Sequence, residues 1–178
     1  AEKAVNAEKI LCYQCQNWIR PEDARTHVGS HIFKSVNGVR EANLHEQVHQ
    51  EKPCGFCGRG ECEVDLTGLP TSKTTPKCTS NCPRAHSFSY GHAKKYSVTT
   101  PCTNVPLFCT LCPPIPPRKS PAVVWKYSMY AHVKLAHPRY WDDLLSRPKD
   151  LPAQLALNIA ISWEEMMALG ATFGISEA

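Results

Sequence analysis

The chain has 178 residues, of which 42% are hydrophobic, and it carries ten cysteines, eight histidines, 15 prolines and a formal charge of +4. No apolar run approaches the roughly 20 residues of a membrane span, so we expect no membrane contact. The chain opens without the apolar stretch of a secretory signal peptide, and its cysteines recur as Cys-x2-Cys pairs near histidines. Both features favour metal-bound thiolates in a reducing compartment over disulfides.

The first unit, residues 1–50, combines a Cys-x2-Cys pair with a histidine pair at the spacing of zinc fingers. Pro21 and the acidic residues after it favour the start of a helix that carries the two histidines one turn apart on one face. Two thiolates and two imidazoles suit the tetrahedral coordination of zinc. The predicted ligands of this unit are Cys12, Cys15, His27 and His31.

A second histidine pair, His45 and His49, also has helical spacing. Pairing it with the first cysteines would leave an unusually long finger, so we favour the nearer histidines as ligands. We therefore place His45 and His49 on a solvated linker helix over about residues 40–50.

The middle unit, residues 51–107, is predicted to resemble a zinc ribbon. A glycine-rich Cys-x2-Cys knuckle comes first, and strands over residues 62–66 and 77–82 return the chain toward it. The predicted ligands are Cys54, Cys57, Cys82 and Cys102, the last favoured because it begins a turn and is otherwise unpaired. The fourth ligand stays open, since three other side chains compete with Cys102: Cys78, Cys62 and His86.

The third unit, residues 108–140, is predicted to be a zinc finger with a proline-rich insertion. A strand over residues 123–127 precedes Ser128, which is a good N-cap for a helix from Met129 to about Ala136, and Pro138 ends that helix. The predicted ligands are Cys109, Cys112, His132 and His137.

The tail, residues 141–178, contains no cysteine and is predicted to be helical. Ser162 and Glu165 form a capping box before an apolar run, and Gly170 closes the helix. We expect this tail to pack on the third finger. Alternatively, its apolar face with Trp163 binds a protein partner or a second copy of the chain.

Five stretches form a specific combination: His27-Val-Gly-Ser-His31-Ile, Pro53-Cys-Gly-Phe-Cys-Gly58, Asn81-Cys82-Pro83, Pro101-Cys-Thr-Asn-Val-Pro106 and Trp125-Lys-Tyr127. Together they resemble the cysteine-rich zinc-finger proteins of mushroom-forming (basidiomycete) fungi, which are often associated with KDZ-type transposons. The likeness covers most of the chain, from about Cys12 to Leu169. It implies a nuclear fungal protein that binds DNA, implies no catalytic role, and favours Cys82 and Cys102 over Cys78 as ligands.

The sequence therefore predicts a small α+β, metal-stabilised protein of several zinc-finger and zinc-ribbon units, with three zinc ions and a helical C-terminal tail. The leading function is binding of duplex DNA in the nucleus, with the reading of methylated bases as a narrower form. Because the overall charge is modest, the affinity must come from local patches. The candidate nucleic-acid contacts are Arg25, Lys34, Lys94, Lys95, Lys126 and Lys134.

The alternative function is a zinc-stabilised scaffold that binds proteins through its tail or its proline-rich loop. We expect no enzyme activity, because a catalytic zinc keeps one position open and the outer sites have four predicted protein ligands each. The knuckle Pro53-Cys-Gly-Phe-Cys57 matches half of the zinc-deaminase signature, but the His-x-Glu part is missing upstream.

Overall fold

The computed structural model describes residues 8–117 and 119–170. Its helices are α1 (Ala24–Val36), α2 (Tyr90–Ala93), α3 (Met129–Ala136), α4 (Ala153–Ile159) and α5 (Trp163–Ala168). Its strands are β1 (Ile10–Leu11), β2 (Trp18–Ile19), β3 (Val64–Leu66), β4 (Cys78–Ser80), β5 (Pro106–Phe108), β6 (Val123–Trp125), β7 (Trp141–Asp142) and β8 (Arg147–Pro148). Short 3₁₀ turns lie at Pro21–Asp23, Lys126–Ser128 and Pro138–Tyr140.

The strands pair in chain order as four separate antiparallel hairpins. Two of these hairpins carry a cysteine pair in their connection, at Cys12 between β1 and β2 and at Cys109 between β5 and β6. A hairpin of two or three residues per strand is unstable alone in water. The small hairpins must therefore be held by packing and by the cysteine and histidine side chains that flank them.

Three clusters of buried side chains connect the four sequence units. In one of them, Ile32 and Phe33 of α1 pack with Val48, with Tyr127 and with Leu169 of the tail. In a second cluster, Phe56 of the middle unit packs edge-on against Trp125 of β6, with ring centroids 5.2 Å apart. The units thus share their buried surface instead of each enclosing a core of its own.

The tail packs on the third unit, as predicted. Leu155 and Ile159 of α4 join the cluster that contains Met129 and Val133 of α3. Leu169, beyond α5, reaches across to α1. The tail therefore covers both outer units.

Local structure follows the sequence prediction in some places and departs from it in others. Helix α3 has the predicted limits, and the Ser162 side chain caps α5 by accepting a hydrogen bond from the Glu165 backbone. The predicted linker helix over residues 40–50 is wrong, because this segment folds back on the first knuckle. There the backbone N–H groups of His45 and Glu46 both donate to the Gln14 carbonyl.

No helix in the described ranges is long and apolar enough to span a bilayer. The outermost parts of the first and last units, residues 1–7 and 171–178, lie outside the described residues, as does Arg118.

Candidate metal centres

Three groups of four side chains in the described residues converge closely enough to hold a metal ion. In each group, one donor atom per residue lies within 4.8 Å of the other three. The groups are Cys12, Cys15, His27 and His31; Cys54, Cys57, Cys62 and Cys82; and Cys109, Cys112, His132 and His137. The first and third groups are the ligand sets that the sequence spacing predicts.

The first group joins the β1–β2 connection to helix α1. The Nε2 atoms of His27 and His31 are 3.3 Å apart, and the Sγ of Cys15 is 3.3 Å from Nε2 of His27. On its other side, Nδ1 of His31 lies 2.9 Å from each carboxylate oxygen of Glu41. A carboxylate behind a histidine fixes the ring and raises the basicity of the ligating nitrogen, which is the usual support of a metal-bound imidazole.

The middle group contains four sulfurs. The Sγ atoms of Cys57 and Cys62 are 3.6 Å apart. Two sulfurs of the group accept hydrogen bonds from the backbone. The Phe56 N–H donates to Sγ of Cys54 and the Arg84 N–H donates to Sγ of Cys82, each at 3.4 Å. Donors aimed at sulfur stabilise thiolates over thiols, and thiolates are the form that binds metal.

The prediction of Cys102 as a middle ligand is wrong, and Cys62 takes that place. The β3–β4 hairpin pairs Val64 with Ser80, and two residues beyond that pair the sulfurs of Cys62 and Cys82 lie within 4.8 Å of each other. The backbone N–H of Glu63 donates to the Asn81 side chain beside this pair. Hairpin register therefore brings the two sulfurs to the same end of the ribbon.

The remaining candidates for the fourth ligand lie elsewhere. Cys78 pairs with Leu66 at the opposite end of the hairpin, roughly 13 Å from Cys82 along an extended strand. His86 is half-buried, with its ring edge-on to Phe56. Cys102 is 1% exposed and packs against Gly29 of α1, where an added Cβ would collide with its sulfur.

The third group joins the β5–β6 connection to the end of α3. The Sγ of Cys112 lies 3.3 Å from Nε2 of His132 and 3.2 Å from Nε2 of His137. The Sγ of Cys109 is 3.5 Å from the same atom of His137. As in the first group, both histidines turn Nε2 toward the sulfurs.

Electrostatics within the groups favours an added cation. Hydrogen bonds from the thiols of Cys54 and Cys57 lower the pKa of Cys82 well below its usual range, which favours its thiolate form. Burial, reinforced by the charge of Cys109, raises the pKa of Cys112 to about 12. Several thiolates this close repel one another, and a cation between them removes that repulsion.

Two of the predicted nucleic-acid contacts are wrong because the side chains are buried. Arg25 is 5% exposed, and its Nη1 donates to the Asn104 carbonyl at 2.9 Å. Lys126 is 6% exposed, and its Nζ donates to Oγ1 of Thr103 at 2.8 Å. Both side chains form hydrogen bonds inside the protein and cannot reach a duplex.

The other four predicted contacts lie at the surface, with different surroundings. Lys34 is half-buried and pairs with Glu41 at 3.3 Å, so its charge is already matched. Lys94 and Lys95 follow α2 and are exposed. Lys134 is exposed on α3, with its ammonium 5.9 Å from the Trp141 ring centroid.

Positive charge is concentrated in one part of the chain. The sequence alone shows this feature, but an argument from the spacing of metal ligands does not detect it. Residues 66–141 contain ten lysines and arginines and no aspartate or glutamate. Their formal charge is +10 and that of the remaining chain is −6, which together give the overall +4. The modest total thus conceals a long segment of a single sign.

Comparison of the chain with protein-family models, with curated proteins and with solved structures gave no match in any of the three. The resemblance to fungal zinc-finger proteins therefore stays a prediction.

Proposed function

We propose that this chain is a zinc-stabilised protein that binds nucleic acid, with duplex DNA as its target. The acid-free segment over residues 66–141 is the observation that carries the proposal. A long stretch of positive charge attracts a polyanion such as DNA. The metal groups would hold that stretch in a folded form.

Zinc fits the spacing of the donor atoms. For a tetrahedron with Zn–S bonds of about 2.3 Å and Zn–N bonds of about 2.0 Å, ligand atoms lie about 3.3 Å apart for two nitrogens, about 3.5 Å for sulfur and nitrogen, and about 3.8 Å for two sulfurs. The corresponding distances here are 3.3 Å, 3.2 to 3.5 Å, and 3.6 Å. Sets of two cysteines with two histidines, or of four cysteines, are also the usual ligands of structural zinc.

The three zinc ions would have a structural role. Each group offers four protein ligands, which leaves no position for a substrate or a water molecule, whereas a catalytic zinc keeps one. This supports a binding protein over an enzyme.

Exposed positive charge in the acid-free segment supports the nucleic-acid part of the proposal. Seven of its basic side chains are exposed, and among the described residues none of the seven takes part in an ion pair. They are Lys73, Lys77, Lys94, Lys95, Lys119, Lys134 and Arg139. Unpaired lysine and arginine near the surface are what phosphate groups bind, and release of counterions from DNA supplies the free energy.

We expect contacts to phosphate to outweigh contacts to base edges. From Ala24 to Phe33, every side chain of α1 is buried or half-buried, and the turn Lys126–Ser128 ahead of α3 is buried as well. These are the parts of a finger that enter the major groove in sequence readers. Binding should therefore be strongly salt-dependent and weakly dependent on sequence.

The test is binding of the zinc-loaded protein to a 20-base-pair duplex, followed by fluorescence anisotropy over a range of salt concentrations. We expect the logarithm of the affinity to fall with the logarithm of salt by about 0.9 per phosphate bound. The double variant Lys94→Glu with Lys95→Glu should lower that slope by about one for each phosphate that the lysines no longer bind. The matched control, Arg40→Glu with Lys9→Glu, changes the same charge outside the segment and should bind as the wild type does.

Probes of equal sequence with and without methylated bases extend this test to the narrower proposal of a modified-base reader. A nuclear location would accompany DNA binding and can be checked with a fluorescent fusion. If a protein of confirmed zinc content binds none of the duplexes, the DNA proposal fails.

A protein-interaction scaffold remains the second candidate, because α5 presents apolar side chains to solvent. Trp163 and Met167 lie one turn apart and are 58% and 52% exposed. A partner protein or a second copy would cover them. The variant Met167→Glu should abolish such an association without changing DNA affinity, which separates the two functions.

A further inference from the structure

A cavity of about 140 Å³ lies between the β3–β4 connection, α2, β5 and α4. Another protein's cavity of about 150 Å³ is known to hold a benzene ring, so this volume admits one aromatic ring. None of the twelve lining residues is charged. The cavity thus suits a flat, neutral group of the size of one ring system.

The walls of the cavity are largely apolar. Tyr90 and Phe108 supply aromatic surface, and Leu155 is buried at the base. The Tyr90 hydroxyl donates to the Pro106 carbonyl at 2.7 Å, which fixes the orientation of its ring. Aromatic and aliphatic walls of this kind stack well on a planar ligand.

Polar side chains at the mouth offer a donor and an acceptor next to each other. Nε2 of Gln154 donates to Oδ1 of Asn158 at 3.0 Å. This bond leaves Oε1 of Gln154 as an acceptor and the amide N–H groups of Asn158 as donors. A paired amide acceptor and donor matches the donor and acceptor that lie next to each other on the Watson–Crick edge of a nucleobase.

Positive charge flanks the cavity on the chain that forms its rim. Lys73 lies between the lining residues Ser72 and Thr74, and Lys77 follows the lining residue Pro76; both lysines are exposed. Two hydrogen bonds close the base of this rim. The Thr67 backbone N–H donates to the Lys77 carbonyl, and the Lys77 backbone N–H donates to Oγ1 of Thr67. Phosphates on either side of an inserted base would meet these two ammonium groups.

We infer that this cavity binds the six-membered ring of an unpaired nucleobase, displaced from a nucleic acid whose phosphates contact Lys73 and Lys77. The inference rests on the proposed function, which it makes more specific. A fully paired duplex then binds through phosphates alone, and a base that is already unpaired adds the contacts of the cavity without the cost of extrusion.

The experiment compares four probes of one sequence: a perfect duplex, the same duplex with one bulged adenine, with one bulged thymine, and with an abasic bulge. The abasic probe has the same backbone distortion without a base. The inference predicts that the bulged adenine binds about 5- to 150-fold more tightly than the abasic bulge, which is the range for stacking of one base. The bulged thymine should gain as well, because its N3–H and O4 also match the amide pair.

Ser72→Trp tests the cavity itself, because it places a ring at the rim, and Thr75→Trp is its control on the same exposed loop outside the lining. We expect Ser72→Trp to remove the preference for the bulged adenine and Thr75→Trp to retain it, with perfect-duplex affinity unchanged in both. A second pair on α4, Asn158→Ala with Leu157→Ala as control, tests the amide edge in the same way.

Equal affinity for adenine and abasic bulges, or a preference that survives Ser72→Trp, would overturn the cavity assignment while leaving the proposed function intact. Absence of binding to all four probes would overturn both.

Discussion

Cys62 and Cys102 show how position, more than residue type, decides the role of a thiol in this chain. Cys62 lies just before β3, near Cys82 at the same end of the hairpin, and completes a group of four sulfurs. Cys102 is buried among Val28, Ile32 and Tyr127, where it behaves as a small apolar side chain. Only the first of them is placed to hold a metal ion.

Substitution of these thiols should therefore change metal content unequally. We expect Cys62→Ser to reduce the bound zinc from about three ions to about two, since an alcohol is a much weaker ligand than a thiolate. Cys102→Ser and Cys78→Ser should retain all three ions. Native mass spectrometry counts the ions directly, and loss of an ion from Cys102→Ser alone would restore the ligand set that the sequence suggested.

Glu165 is a buried carboxylate with several donors around it. It is 1% exposed and accepts from the Thr103 backbone at 2.9 Å, from the Thr103 hydroxyl at 2.6 Å and from the Tyr127 hydroxyl. Burial, followed by the charges of Cys102 and Glu165, raises the pKa of Tyr127, so that its hydroxyl stays protonated and donates. The Lys126 ammonium joins the same network through Thr103.

Glu165→Ala should lower the free energy of unfolding by about 2–4 kcal/mol. The buried donors of Thr103 and Tyr127 would lose their acceptor, and the buried Lys126 ammonium would lose the nearby negative charge. The neighbouring Glu164 is exposed, and Glu164→Ala should change stability by less than about 0.5 kcal/mol. Urea unfolding of the zinc-loaded variants compares the two. Equal stability of both variants would mean that the network contributes nothing.

At the scale of elements, the first and middle cysteine knuckles are linked through Gln14. This side chain is 0% exposed, and its Nε2 donates to the Cys57 carbonyl at 3.0 Å. Gly58 lies against it with φ at +76°, where a Cβ would both strain the backbone and collide with the Gln14 amide. One amide thus supports two metal groups at once.

Gln14→Ala should weaken zinc binding at both the first and the middle group, by about 10- to 100-fold, which is typical for loss of a residue that supports metal ligands. Competition with a chromogenic chelator measures the affinity of each ion in turn. The exposed Gln47 provides the control, because Gln47→Ala removes a glutamine without touching either knuckle. If Gln14→Ala lowers the zinc affinity of the first group alone, the hydrogen bond from Gln14 to Cys57 does not stabilise the middle group.

The outer metal groups were predictable from sequence because each cysteine pair and each histidine pair sits on one local element, a hairpin connection or a helix. Spacing alone places His27 and His31 on one helical face, and Ser128 and Pro138 mark the limits of α3. The fourth middle ligand depends on the register of the β3–β4 hairpin, which its long connection over residues 67–77 leaves open and spacing does not fix. The helical spacing of His45 and His49 predicts a helix over residues 40–50, whereas tertiary hydrogen bonds to Gln14 determine the path of this segment.

Across the whole molecule, the buried clusters and the metal groups depend on each other. Helix α1 carries two ligands of the first group and also packs against Tyr127 of the third unit and Leu169 of the tail. Small units of this size rarely fold without a metal or another staple. We therefore expect the first and third groups to lose their ions within a narrow range of conditions.

Acid provides such a condition. Burial, with the charge of His31 next, lowers the pKa of His27 from 6.5, and burial followed by the charge of His137 does the same for His132. The unfolded chain therefore takes up protons before the folded one, so stability is retained above pH 6.5 and falls as the pH drops below it. Metal affinity also falls as the pH drops, since a protonated imidazole cannot be a ligand.

We expect the melting temperature of the zinc-loaded protein to be nearly constant from pH 8 to about 7 and to fall below about 6.5, together with release of the two ions that have histidine ligands. Differential scanning calorimetry with a parallel zinc assay follows both. The middle group has only cysteine ligands and should release its ion at a lower pH. A melting temperature that stays flat to pH 5 would contradict the expectation.

The burial of Cys102 gives the native protein a chemical reporter of its own opening. Eight thiols belong to the metal groups, and Cys102 is screened from solvent by α1 and the tail. An alkylating reagent can reach it only when those elements separate, so its rate of labelling in the zinc-loaded protein measures how often the shared interior opens. Cys78, half-buried at the far end of its hairpin, reacts in the same tube and reports local fraying for comparison.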